Sequence, residues 1–173
     1  MTRTLVAGLG NVFETDDGFG SAVAAALDVA QLSAGTEVQD FGIRGVHLAY
    51  QLLEPYDLVV IIDTVSRGGA PGTLYVIEHG ADPDRPRPAE QAPLLDAHDM
   101  APDEVLALVP MLGGTLGRVV VVGCEPESIA PGMGLSAAVT SSVENAVHLV
   151  IDLVRDGAHP ARAAADAAGT GGG

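Results

Sequence analysis

Short apolar runs alternate with amphipathic stripes along this chain, and glycine or proline punctuates most changes between them. Thr4-Leu5-Val6-Ala7 is short and apolar, the pattern of a central strand covered on both faces, and an Ala-rich helix is expected from about Gly18. Glu37-Val38-Gln39-Asp40-Phe41 predicts a second strand with Gly42-Ile43-Arg44-Gly45 as its loop. Val46, Ala49, Tyr50 and Leu53 then fall at helical spacing and stop before Pro55. Leu58-Val59-Val60-Ile61-Ile62 is the most hydrophobic run, β-branched and too short for a useful helix, so it predicts a buried central strand terminated by Asp63.

After the turn cluster Arg67-Gly68-Gly69-Ala70-Pro71-Gly72, the strand Thr73-Leu74-Tyr75-Val76-Ile77 follows closely enough for an antiparallel, hairpin-like return. Residues 80–93 are rich in Pro, Asp and Arg and predict a long exposed loop. A helix is expected from Pro102 with Val105, Leu106, Val109 and Leu112 as its buried stripe, then a last strand over Arg118-Val119-Val120-Val121-Val122-Gly123. Cys124 to Gly134 reads as a Pro/Gly loop, and Ser136 as the cap of a final helix carrying Val139, Val143, Ala146, Val147, Val150 and Val154. Gly157 should end that helix, and residues 157–173 read as a disordered Ala/Gly-rich tail. The sum is one α/β domain over residues 1–156: a five-stranded, mostly parallel sheet between two helix layers.

Composition narrows the classes. A chain of 173 residues with 47% hydrophobic content suits a single core rather than disorder. No continuous apolar run approaches the roughly 18 to 20 residues that span a bilayer, and no basic stretch with a long apolar segment opens the chain, so neither a membrane span nor a signal peptide is expected. The single cysteine, Cys124, excludes an internal disulfide and a cysteine-rich metal site and fits a reducing compartment, hence a cytoplasmic location. The net charge of -15 disfavours nucleic acid and anionic membranes as partners.

The chemistry concentrates in Gly8-Leu9-Gly10-Asn11-Val12-Phe13-Glu14-Thr15-Asp16-Asp17-Gly18-Phe19-Gly20, a turn between the first strand and the first helix. The dinucleotide fingerprint fails at Phe13, and the phosphate-loop pattern fails because no Gly-Lys-Ser/Thr follows. Carboxylates at this turn repel phosphate and suit a cation, although an aspartate there also serves as a helix cap. In an open α/β sheet the loops after the first and third strands leave the carboxyl edge together, which brings Asp17 and Asp63 close. Asp63 alone is equally a turn former. His98 is the third candidate, and one imidazole with two carboxylates is a donor set that nickel or zinc accepts. His47, His79, His148 and His159 read as structural or solvated, and Cys124 as an inert small hydrophobe.

Four segments, in order and spacing, resemble the hydrogenase maturation endopeptidases over about residues 4 to 155: Gly8-Leu9-Gly10-Asn11 with Asp16-Asp17-Gly18-Phe19-Gly20; Asp57 to Asp63 with Ala70-Pro71-Gly72-Thr73; His98 with Val105-Leu106; and Gly123-Cys124-Glu125-Pro126-Glu127-Ser128 with Gly134-Leu135-Ser136. The resemblance implies a phosphorylase/hydrolase-like α/β/α sandwich with a mixed, mostly parallel five-stranded sheet. It implies metal-binding positions at Asp17, Asp63 and His98, with Asp17 or Asp63 as catalytic carboxylate, and a peptidase that cuts once near the C-terminus of a [NiFe] hydrogenase large-subunit precursor. Nickel would be supplied by that precursor and read by the three residues rather than held tightly. Relatives often carry Asp-Gly-Gly-Thr-x-Gly where this chain has Asp40-Phe41-Gly42-Ile43-Arg44-Gly45, so Gly42, Ile43, Arg44 and Gly45 are the expected partner-selecting, substrate-binding loop. Two chemistries remain open, a carboxylate base acting on water and metal-assisted polarisation. The same residues would also serve a non-catalytic nickel-sensing chaperone for that precursor, or an unrelated metal-dependent hydrolase of small molecules.

Overall fold

The structure is a computed structural model that describes residues 2–79 and 100–157. The exposed loop expected at 80–93, His98 and the tail from residue 158 lie outside the described residues. Among the described residues five strands, β1 (Thr4–Leu9), β2 (Thr36–Gly42), β3 (Leu58–Thr64), β4 (Leu74–Glu78) and β5 (Arg118–Cys124), form one sheet in the order β2-β1-β3-β5-β4. β1, β2, β3 and β5 run parallel, and β4 is antiparallel to β5. The mixed, mostly parallel sheet expected from sequence is present.

Among the described residues four helices cover it: α1 (Phe19–Ala26), α2 (Gly45–Gln51), α3 (Pro102–Met111) and α4 (Ala137–Gly157). The alternation of side chains along each strand divides the core in two. Leu5, Ala7, Leu9, Val59, Ile61, Val119 and Val121 pack with α2 and α3, whereas Val6, Leu58, Val60, Ile62, Val120 and Val122 pack with α1 and α4. Because both faces are covered, β1 and β3 read as continuous apolar runs rather than as alternating ones.

Several expectations are corrected in detail. β4 makes no hairpin with β3, because β5 lies between them. β5 is buried at every position after Arg118 and belongs inside the sheet, while the half-buried and exposed pattern of β4 suits an edge. On α2 the buried positions are Gly45, Leu48 and Ala49, followed by Leu52, while Tyr50 and Leu53 face solvent. The pair Leu48 and Leu52 offers a larger apolar stripe one step round the helix, and Gly45 lets Met100 and Val105 approach the α2 backbone. On α3 the buried stripe is Val105, Leu106 and Val109, with Leu112 exposed just past the helix end. α4 runs to Gly157, the residue expected to end it.

α4 is the one helix among the described residues long and apolar enough on average to cross a membrane, with mean hydropathy 1.2. Here it buries Val139, Ala146, Val150, Ile151 and Val154 in the core shared with α1, the placement of a core helix. Ser136 caps it as expected, accepting the Val139 N–H at 3.3 Å.

Candidate active site

The turn between β1 and α1 is shaped by two glycines. Gly10 has φ 124°, and a Cβ there would overlap the Asp17 carbonyl oxygen, so the chain doubles back tightly enough for Asp17 to approach the end of β1. Gly20, in the first turn of α1, lies so close to the carbonyl oxygens of Leu9 and Ile62 that no side chain fits. This contact seats the start of α1 on the carboxyl ends of β1 and β3. Between the two glycines, Thr15–Gly18 forms a single 3₁₀ turn that presents Asp16 and Asp17 in opposite roles.

Asp16 is fully buried and turned away from the opening. One oxygen accepts the Ser136 N–H at 2.6 Å, and the other accepts the Glu127 and Ser128 N–H groups at 2.8 and 3.2 Å. Burial alone would raise this carboxyl, but the three amide donors outweigh it and hold it below the usual carboxylate range. Asp16 thus clamps the segment between β5 and α4. Glu125 does the same for the segment after β3, accepting the Arg67 and Gly68 N–H groups at 2.8 and 3.2 Å and the Tyr75 hydroxyl at 2.9 Å. The Arg67 amide, against the effect of burial, holds the Glu125 carboxyl down as well. Neither clamp was singled out from sequence. Buried carboxylates that bond backbone amides leave no trace in residue spacing.

Asp17 accepts the Asn11 N–H at 2.7 Å on Oδ2 and the Thr64 hydroxyl at 3.0 Å on Oδ1. Asp63, on the last turn of the pleat of β3, accepts the Thr64 N–H at 2.7 Å on Oδ1. Both aspartates are only 7% exposed, and both line one cavity of about 220 Å³ at the carboxyl edge, together with Thr64, Gly10 and Met100. The juxtaposition of Asp17 with Asp63 expected from the sheet topology is therefore realised. No lysine or arginine of the described residues lines this cavity, whose acidic lining residues are Asp17 and Asp63.

The loop after β2 forms the opposite wall through Gly42, Ile43 and Gly45. It is tied to α1 by Asp40, whose Oδ1 accepts both the Ser21 hydroxyl and the Gly42 N–H at 2.9 Å. Arg44 is placed differently from its neighbours: its guanidinium turns back to donate to the carbonyl oxygens of Phe41 and Asp40, at 3.1 and 3.3 Å. His47, His79 and His148 are exposed, as solvated histidines should be. Cys124 is buried and its thiol is pushed up to about 11, by burial first and then by the charges of Asp16 and Glu125, so it is no nucleophile at neutral pH.

Residues 22–153 match the sequence model of the HycI hydrogenase maturation protease family, a span that includes Asp63 and His98. The chain belongs to the hydrogenase maturation proteases. The protease is 28% identical over 155 residues to the hydrogenase 2 maturation protease of Escherichia coli strain K12, covering 89% of this chain and 92% of that one. It is 30% identical over 155 residues to the hydrogenase expression/formation protein HupD of Rhizobium leguminosarum bv. viciae, covering 88% of this chain and 74% of the relative. Its fold matches the hydrogenase maturating endopeptidase HybD of E. coli with TM-score 0.69 and 27% identity, over 90% of this chain and 93% of that one. A hydrogenase 2 maturation peptidase from a Thaumarchaeota archaeon superposes with TM-score 0.64 and 31% identity, over 88% and 97% of the two chains. The protease is accordingly a peptidase of hydrogenase maturation, and its cavity is the candidate site of peptide-bond hydrolysis.

Proposed function

We propose that the protease removes a C-terminal peptide from the nickel-loaded large-subunit precursor of a [NiFe] hydrogenase, and that Asp17, Asp63 and His98 complete the coordination of nickel carried by that precursor. The observation that carries this reading is the pair of nearly buried carboxylates, Asp17 and Asp63, that line one cavity. Oxygen donors of this kind accept a divalent cation, and an added imidazole from His98 shifts the set toward borderline metals such as nickel. The described cavity of about 220 Å³ is smaller than the roughly 300 to 1,000 Å³ usual for small-molecule sites. That suits a protein substrate whose own body completes the site better than a free metabolite.

In the reaction, water adds to the scissile carbonyl carbon as its proton passes to a cavity carboxylate, Asp17 or Asp63. The C–N bond then breaks as the leaving nitrogen takes up a proton, giving a new carboxyl terminus and a free amine. The substrate's nickel supplies Lewis-acid polarisation of the carbonyl or the water. Gly42, Ile43 and Gly45 form the wall along which the precursor's chain is laid, and Arg44 holds that wall through its own backbone.

The test is the intact mass of the nickel-loaded precursor after incubation with the purified protease, alongside metal-free precursor and the variants Asp17→Ala and His98→Ala. Nickel-dependent loss of one C-terminal peptide, absent in both variants, is the expected result. Complex formation with unchanged mass, for a correctly paired precursor, would replace this reading with that of a nickel-sensing chaperone.

A further inference from the structure

We infer that Thr64 is a positioning residue, whose hydroxyl orients Asp17 for the reaction while its backbone amide holds Asp63. The inference rests on the reading of the cavity given above and adds to it a residue that no motif pointed to. Along β3 the side chains of Val59 and Ile61 belong to the face of α2 and α3, and those of Leu58, Val60 and Ile62 to the face of α1 and α4. By the same alternation, Asp63 falls on the first face and Thr64 on the second. The two aspartates therefore reach the cavity from opposite faces of the sheet, and Thr64 stands at the crossing. Its N–H donates to Asp63 Oδ1 at 2.7 Å, and its Oγ1 donates to Asp17 Oδ1 at 3.0 Å.

The chemistry of a carboxylate gives this hydroxyl its importance. An ionised carboxylate offers about four lone-pair directions. On Asp17 the Asn11 N–H occupies one on Oδ2 and the Thr64 hydroxyl one on Oδ1, so a donor sits on each oxygen and fixes the rotation of the group. The remaining directions are left to the cavity. Threonine suits the task because its β-branched side chain is stiff about χ1, which aims the hydroxyl without further support. Partners of this outer kind usually change metal affinity or activity by about 10- to 100-fold when removed. A hydroxyl that merely satisfied itself at a strand end would have no such effect.

The test compares Thr64→Val, which keeps shape and strand preference, with Thr64→Ser, which keeps the hydroxyl. Precursor processing by Thr64→Val should fall about 10-fold or more in kcat with KM little changed, and Thr64→Ser should restore most of it. The independent readout is the Asn11 amide proton in NMR spectra of the precursor-free protease. Its bond to Asp17 Oδ2 places it downfield, and release of Asp17 in Thr64→Val should move it upfield and speed its exchange, while Thr64→Ser leaves it in place. An unmoved Asn11 amide in folded Thr64→Val, or unchanged kcat, would overturn the inference. Asp17→Ala separates the two levels of failure. If it processes the precursor normally, the reading of the cavity has failed; if it is inactive while Thr64→Val is fully active, only the role of Thr64 has.

Discussion

The carboxyl edge of the sheet has two halves that use the same functional group in opposite ways. On the β5 side, Asp16 and Glu125 spend their oxygens on backbone amides and tie down the segments before α4 and after β3. On the β1 and β3 side, Asp17 and Asp63 are equally well buried, yet each borders the cavity. Burial does not separate the carboxylates that tie loops from those that border the cavity. What separates them is what they border: loop backbone alone, or a space that another molecule can enter. Asp16 and Asp17 make the contrast sharpest, since adjacent residues on one 3₁₀ turn fall on different sides of it.

The largest expected effect comes from the cavity half. Asp63→Asn should cut precursor processing by about 10²- to 10⁴-fold, the range for loss of a proton-transferring group, with the melting temperature close to that of the parent. Retained turnover, read from single-turnover kinetics, would move the base role to Asp17 or to metal-first chemistry. Asp16→Ala should do the reverse. It removes the shared acceptor of three backbone amides and should cost about 3 kcal/mol of stability in urea unfolding, with residual activity following the folded fraction.

A smaller effect concerns acid. The Glu125 carboxyl is held below its ordinary value in the folded chain, so its contribution is fully present above the unfolded value of about 4.3 and is lost as pH falls through the folded one. Glu125→Gln should therefore lower stability at neutral pH and flatten its decline under acid, measured as denaturation midpoints from pH 7 to pH 3. The smallest change is expected for Arg44→Ala. Loss of its bonds to Phe41 and Asp40 should raise KM by about five-fold at most, with kcat unchanged.

The strands and helices were legible because their apolar runs are short, β-branched and bounded by Gly or Pro, as in Leu58 to Ile62 and Arg118 to Gly123. The meeting of Asp17 and Asp63 was legible too, because parallel strands deliver their following loops to one edge. The insertion of β5 between β3 and β4 was not, since strand order depends on which strand can be buried on both sides, a property of the assembled layers. Nor was the division of labour between Asp16 and Asp17. A sequence shows two neighbouring carboxylates, and only the fold shows that one meets the amides of Glu127, Ser128 and Ser136. Thr64 escaped notice for a similar reason, because a threonine at the end of a strand is ordinary until the residue it touches is known.

The strand order also dictates a sequence of events on the ribosome. β1, β2 and β3 are neighbours in the sheet and emerge first, so the strands that precede Asp17 and carry Asp63 can pair once Thr64 has been made. β4 has β5 as its sheet neighbour, and must leave the exit tunnel and wait until Arg118 to Cys124 have been translated. Asp16 waits longer still, because the last amide it accepts belongs to Ser136. A nascent chain stalled before that point would carry Asp17 on a turn not yet clamped, beside a half-built sheet with an unpaired edge.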